Sequence, residues 1–473
     1  MAKNSTEIID SPGIRRLIWI YFFLLIFEGV LRKWLLPSLS NPLLLVREPF
    51  LVLIYLMALG RGAFPLNGYI AGLSIIGASA AVAGITVGSQ DPTVTAYGFD
   101  AMFFHLPLIF VIPKVMTIED IVKFGRWMLL LTFPMAVLMV IQFRSSPDAL
   151  INCGAAGGIG SQMRGALGRI RPPGFFTFIT GASQFLALAT SFLILGLWKK
   201  GIYSRYLIFG AGIAIAISAV VSTSRLALGG IGIVFVMVGV IVAYDRKSMN
   251  NVIGMLVPIG LVLVVVTNLD IFHEGRQVFE ARLQEAGDTG IGLVGTASNW
   301  TARAFGDLYA GILAIQDAPV LGAGLGVGTN VGARLLSGSF GFLLAEGEWA
   351  RVVLEVGPIL AVPYLLIRIL ICKTLFFSAA RCARGGNVLP MLLFGSCAML
   401  LVAGQFSQTS TLGFAVLGSG FCLAAANLNA TQGTEGEEAG FELQKTHEVK
   451  SGKPRGRSRY AETLHQSPLS GNE

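Results

Sequence analysis

The chain has 473 residues, of which 54% are hydrophobic and only 13% charged, and its mean hydropathy is +0.70. That composition excludes an ordinary soluble domain. The formal charge of +8 sorts by loop, which sets topology in a membrane and gives no nucleic-acid-binding patch.

The apolar residues come in blocks. A hydrocarbon core about 30 Å thick needs about 20 residues of helix, and about twelve such blocks are present. They fall near 15–36, 43–60, 69–88, 93–112, 126–143, 175–197, 206–221, 226–243, 252–268, 350–371, 388–404 and 411–428. Alternating strands of barrel length are absent, so the expected fold is an all-α polytopic membrane bundle over residues 1–428.

The first block follows Arg15 and Arg16, as in a signal sequence, but contains Glu28, lacks a small-residue cleavage site and runs into Arg32 and Lys33. It reads as an uncleaved first span with the N-terminus in the cytoplasm. Inside loops then collect Arg61, Lys114, Lys123, Arg126, Lys199, Lys200, Arg205, Arg246, Lys247, Lys373, Arg381 and Arg384, as the positive-inside rule requires. On the outer side every basic residue except Lys33 is an arginine: Arg32, Arg47, Arg144, Arg164, Arg169, Arg171, Arg225, Arg276, Arg282, Arg303, Arg334 and Arg351. The guanidinium fork suits bidentate grip on phosphate, and it equally suits snorkelling at an interface.

Two outer loops are long. Residues 144–174 end in the basic turn Arg171-Pro172-Pro173, and residues 269–350 form a large periplasmic loop with amphipathic helices over Glu274–Glu285 and Thr301–Gln316. The tail 429–473 is polar and charged and is expected to be disordered in the cytoplasm. Cys153, Cys372, Cys382, Cys397 and Cys422 form no C-x-x-C pair, against a disulfide framework or a zinc site.

Candidate chemistry centres on residues 319–357. After a glycine-rich turn, Glu346, Glu348, Arg351 and Glu355 stand where an apolar helix begins. Residues 348, 351 and 355 share one helical face at i, i+3, i+7, so acid, cation and acid lie within mutual reach. Such a face is costly beside lipid and fits a wet cavity or the bundle interior, or else a salt-bridged helix start. Gly347 can end the helix and leave Glu346 on the preceding loop, and the glycines after Pro319 allow tight turns and close approach of a ligand. Ser222-Thr223-Ser224-Arg225 could hold a phosphate oxygen, as could Arg171 on its stiff turn; Arg47 and Arg303 are secondary candidates. Asp100 and His105 suggest either a proton relay or a satisfied structural histidine, and Glu28, Arg32, Arg47 and Glu48 are explained by local charge balance. No D-x-D pair, H-E-x-x-H, G-x-S-x-G or Walker sequence is present.

Three segments carry a resemblance: RPPGFFTFITGASQFLA entering a span, STSRLAL at the outer end of another, and PVLGAGLGVGT followed by EGEWARVVLEVGPI. Over roughly residues 120 to 430 the chain resembles the O-antigen ligase and polysaccharide polymerase family of bacterial inner-membrane proteins. The resemblance implies a fold similar to the C-type membrane glycosyltransferases, a glycan donor on undecaprenyl pyrophosphate, no metal or other cofactor, and a chain-length regulator or export machinery as partner. In the ligases a histidine stands nine residues before the position matched here by Glu355, and that place holds Glu346. The departure favours a polymerase over transfer to lipid A core. In the implied inverting mechanism Glu346 or Glu348 orients or deprotonates the acceptor hydroxyl, Arg171, Arg225 and Arg351 bind the pyrophosphate, and Glu355 is secondary. A transporter or flippase is the rival reading.

Overall fold

The computed structural model describes residues 8–285, 306–338 and 341–427. Among them all regular structure is helical, apart from one isolated bridge between Arg164 and Ile170. The helices are α1 (Pro12–Val30), α2 (Glu48–Gly60), α3 (Gly68–Thr86), α4 (Pro92–Phe99), α5 (Leu108–Val115), α6 (Ile118–Arg144), α7 (Ile179–Trp198), α8 (Arg205–Val221), α9 (Arg225–Tyr244) and α10 (Met249–Thr267). They continue with α11 (Asp270–Glu285), α12 (306–317), α13 (Asn330–Ser337), α14 (Glu348–Arg384), α15 (Leu389–Ala403) and α16 (Thr409–Asn427). The surface helix expected over Glu274–Glu285 is part of α11, and α12 covers the described part of the one expected over Thr301–Gln316. Arg303 and the tail 429–473 lie outside the described residues.

Eight helical segments are long and apolar enough to cross a membrane, or nine if α4 and α5, bent by 44°, count as one span. This is fewer than the sequence reading expects, for a physical reason in each remaining case. Helix α1 carries Arg15, Arg16 and Glu28 within 19 residues, while α8 and α15 are apolar but only 17 and 15 residues long. The surface agrees with a lipid environment: on α10, Leu256 and Val257 are 61% and 76% exposed with no protein to cover them.

Helices α7 and α16 form the centre and are buried almost throughout. Small and hydroxyl residues on α7, including Gly181, Ala187 and Ser191, let neighbouring backbones approach closely. The Ser191 hydroxyl donates to the Leu392 carbonyl of α15 at 2.9 Å. On the opposite side Trp19 of α1 stacks on Phe124 of α6, which also meets Phe421 of α16 at 4.8 Å between ring centroids.

Helix α14 is two helices joined at a break. Gly357 has φ 74° and ψ 158°, which an L side chain rarely adopts, and Pro358 follows without an N–H to continue the ladder. In a straight helix Glu348 and Arg368 would lie about 30 Å apart at 1.5 Å per residue. Instead Arg368 Nη1 donates to Glu348 Oε1 at 2.6 Å. The chain therefore folds back at Gly357, and the single span expected over 350–371 becomes a short helix, 348–356, lying beside the segment that follows it.

Candidate functional site

The charged face expected at the start of α14 is present. The helix begins at Glu348 with Gly347 as its non-helical cap, and Glu346 stays on the loop, exposed. Arg351 lies between the two acids: its Nη2 is 2.9 Å from Glu348 Oε2, and its Nη1 pairs with Glu355 Oε2. Arg368 completes the set. Its Nε and Nη2 donate to the carbonyls of Leu401 (2.7 Å) and Gly404 (3.0 Å) at the end of α15, where a cation complements the helix dipole, and its guanidinium lies 3.8 Å from the Phe406 ring centroid. Two carboxylates and two guanidiniums thus neutralise one another with at most 1% of any residue exposed. Glu348 and Arg351, expected to face substrate, face each other and hold α14 folded on itself.

Glu355 also anchors the glycine-rich turn, accepting the Gly326 N–H at Oε1. Backbone bonds from Ala323 N–H to the Leu354 carbonyl (2.8 Å) and from Gly324 N–H to the Glu355 carbonyl (3.0 Å) clamp the same turn to α14. Gly326, at φ 95°, rests so closely on α4 that a Cβ would collide with the Val94 carbonyl. The glycines here admit the protein's own backbone, where the sequence suggested a ligand.

The outer-loop arginines are also largely engaged by the protein. Arg169 donates to the carbonyls of Phe143 and Arg144 at the end of α6 (3.2 and 3.1 Å). Arg144 pairs with Glu274 at 2.8 Å, Arg282 donates to the Thr223 carbonyl, Arg276 pairs with Glu280 at 3.3 Å, and Arg334 donates to Asn41 at 2.8 Å. A bias toward arginine thus reflects helix ends and loop ties as much as any anion. The three hydroxyls before Arg225 are buried and shape the turn from α8 to α9: Ser224 caps α9, and Thr223 takes φ 45°, a strained conformation for a β-branched residue.

Arg171 and Arg225 are both half-buried and come from adjacent segments. Residues 163–171 form a small hairpin, with Gly165 N–H bonded to the Arg169 carbonyl and Arg171 N–H to the Met163 carbonyl. The hairpin leans on the α8–α9 turn, where a Cβ on Gly165 would lie 3.7 Å from Thr223 Oγ1. Ser183 in the first turns of α7 then meets Ser224 at 3.2 Å.

From α7 a run of side chains leads to α14. Thr180 Oγ1 donates to Gln408 Oε1 (2.7 Å), Gln408 Nε2 to Gln405 Oε1 (2.7 Å), and Gln405 Nε2 to the Glu346 carbonyl. Beyond Glu346 stands Asp307 of α12, so near Gly347 that a Cβ there would strike its carboxylate. Burial and the negative Glu348 raise the Asp307 carboxyl to about 6, against the pull of the Trp349 N–H and of Arg368 and Arg351.

No protein-family model matches the chain, and no curated protein sequence matches it. The chemistry therefore rests on the residues themselves.

A second charged cluster lies between α1, α2 and the α4–α5 bend. Arg47, fully buried, donates to the Thr409 carbonyl (3.0 Å) and to Tyr21 Oη (3.3 Å), and its Nε is 3.7 Å from Glu28. Glu28 pairs with Arg32 at 3.0 Å and accepts from the Thr409 hydroxyl at 3.3 Å. Arg47 is thus tied into the bundle, its guanidinium engaged by Tyr21, Glu28 and the Thr409 carbonyl. Sequence reasoning missed Arg368, Asp307, Gln405 and Gln408. Arg368 alone carried a usable signal, a cation in the middle of the apolar run 364–371.

The raised Asp307 carboxyl has a stability consequence. Its folded-state value of about 6 exceeds the ordinary 3.8, so between those pH values the folded chain binds more protons than the unfolded one, and stability declines as pH rises through the window. Thermal unfolding in detergent from pH 4 to 7 is expected to show a decline that Asp307→Asn removes. Partial solvent exposure keeps the effect modest.

Proposed function

We propose that the chain is a membrane glycosyltransferase that polymerises glycan repeat units carried on undecaprenyl pyrophosphate, making an exopolysaccharide or O-antigen. In this reading the nine span-length segments, the bent pair α4–α5 counted as one, cross a bacterial inner membrane together with α1, α8 and α15, about twelve crossings in all; both termini are cytoplasmic, and the site opens to the periplasm under the loop 269–350. The observation that supports it is the hydrogen-bonded run Thr180–Gln408–Gln405–Glu346. Together with the Ser183–Ser224 contact it draws to one place the three segments on which the family resemblance rests.

The roles follow from what is reachable. Glu348 has both oxygens engaged by arginines, so the acceptor hydroxyl gives its proton to Glu346 or Asp307, the carboxylates flanking Gly347. The hydroxyl oxygen bonds to the anomeric carbon of a second lipid-linked glycan as the bond from that carbon to the pyrophosphate oxygen breaks. Its electron pair leaves with the lipid pyrophosphate, and the configuration inverts. Arg171 and Arg225 bind that leaving group and stabilise its growing charge, while Arg351 and Arg368 position α14.

Purified protein in vesicles, given undecaprenyl-pyrophosphate-linked repeat units, is expected to yield a ladder of longer glycans and free carrier lipid. Arg225→Gln and Arg171→Gln should each slow it by about 100-fold, the usual cost of one preorganised transition-state donor. A normal ladder from both variants would overturn the assignment. With Asp307 as base, the rate rises with pH through about 6, and Asp307→Asn abolishes that rise. Transfer only to lipid A core would indicate a ligase. Glycan movement across the vesicle without bond formation would instead establish the rival transporter reading.

A further inference from the structure

The second charged cluster contains one corner that hydrogen bonding leaves unsatisfied. His105 is fully buried at the bend between α4 and α5. Its Nδ1 is 2.8 Å from Tyr21 Oη. Its Nε2 points between two carboxylates, within ion-pair range at 3.3 Å from Asp100 Oδ1 and 3.4 Å from Glu48 Oε1, but with a well-directed hydrogen bond to neither. Asp100 Oδ1 and both oxygens of Glu48 are likewise buried without a hydrogen-bond partner. Four buried polar atoms without hydrogen bonds on three neighbouring side chains are rare in a folded chain, because each unsatisfied group costs about 1–3 kcal/mol.

The local backbone is built to bring them together. Asp100–Phe104 is a π-turn, a distortion that recurs at functional sites, and it sets Asp100 and His105 on the same side although they are five residues apart in the chain. Glu48 comes from the first residue of α2. One ligand atom from each of the three residues lies within 4.8 Å of the others, close enough for all three to reach one ion after small rotations. Arg47 and Arg32 both turn toward Glu28, so the three carboxylates Glu28, Glu48 and Asp100 face two guanidiniums, and a cation held between Glu48 and Asp100 would offset the excess of acid.

The geometry points to a divalent-cation site formed by Glu48, Asp100 and His105, distinct from the run between α7 and α14. One imidazole nitrogen and two carboxylate oxygens suit Zn2+ or Mn2+. Ligation through Nε2 places the imidazole proton on Nδ1, where it donates to Tyr21 Oη, the outer partner that metal-bound histidines usually have. Tyr21 Oη also accepts from Arg47, which in turn donates to the Thr409 carbonyl. An ion here would tie α1, α2 and the α4–α5 bend together and brace the start of α16. The family resemblance implies no metal, and none of the sequence motifs for one is present, because these ligands come from two separated segments and meet only in the fold.

The test uses the full chain purified in detergent and treated with chelator. Metal analysis after dialysis against Zn2+ or Mn2+, with calorimetric titration, is expected to find one ion per chain. Co2+ as a probe should give visible d–d absorption. Asp100→Asn and Glu48→Gln, which keep side-chain shape, should each weaken binding at least tenfold and lose the rise in unfolding temperature that the ion gives the native chain. Binding at one ion per chain that survives both substitutions would overturn the site. So would no stoichiometric binding by the folded native chain, in which case a protonated His105 bridges the two carboxylates and the cluster is an internal ion pair.

Discussion

Arg368→Met is expected to destabilise the protein by about 3–5 kcal/mol, the usual cost of removing one partner from a buried ion pair. The substitution keeps most of the side-chain volume against Phe406, so the loss is electrostatic. One Glu348 oxygen would be left without its cation, and the carbonyls of Leu401 and Gly404 would lose their donor. Thermal unfolding and monodispersity in detergent would show the effect. Adding Glu348→Gln should restore part of the stability, because the buried charge then disappears with its partner. Equal stability of Arg368→Met and the native chain would mean that the fold-back of α14 does not depend on this pair.

Gly326→Ala should cost about 2–4 kcal/mol through two separate effects, backbone strain and overpacking. At φ 95° the residue lies where L side chains are strained, and the new methyl would meet a backbone carbonyl of α4 that has no freedom to swing away. Displacement of the turn would also withdraw the Gly326 N–H from Glu355. Gly232→Ala makes a fair control: it lies in α9 with nothing within 4 Å of the added Cβ, and alanine is the better helix former by up to about 1 kcal/mol. The turn assignment fails if the two variants unfold at the same temperature.

Much of this architecture was legible from local rules. Span-length apolar blocks follow from composition alone, and the shared face of Glu348, Arg351 and Glu355 follows from the helical repeat, since both depend only on neighbours in sequence. The role of Gly347 as a break before Glu348 belongs to the same class. What was hidden depends on distant partners. Nothing near residue 368 says that its guanidinium returns to residue 348, because the fold-back needs Gly357 at positive φ. A glycine in such a run reads equally well as a packing residue. Gln405, Gln408 and Thr180 look like ordinary loop and cap residues until they are hydrogen-bonded in series. The arginine bias invited an anion, but Arg169 and Arg282 show guanidiniums spent on carbonyls at helix ends and turns. That distinction is one of tertiary geometry and leaves no trace in spacing.

The break in α14 also bears on how the chain enters a membrane. A lone arginine in the middle of an apolar helix adds about 2.5–3.5 kcal/mol to insertion. Arg368 leaves the ribosome only 20 residues after Glu348. Because the intervening chain turns back at Gly357, the two can enter the bilayer together as a closed, nearly neutral hairpin. The glycine that bends the finished helix thereby removes an obstacle to its biogenesis, and the cation that caps α15 arrives with its counter-ion already beside it.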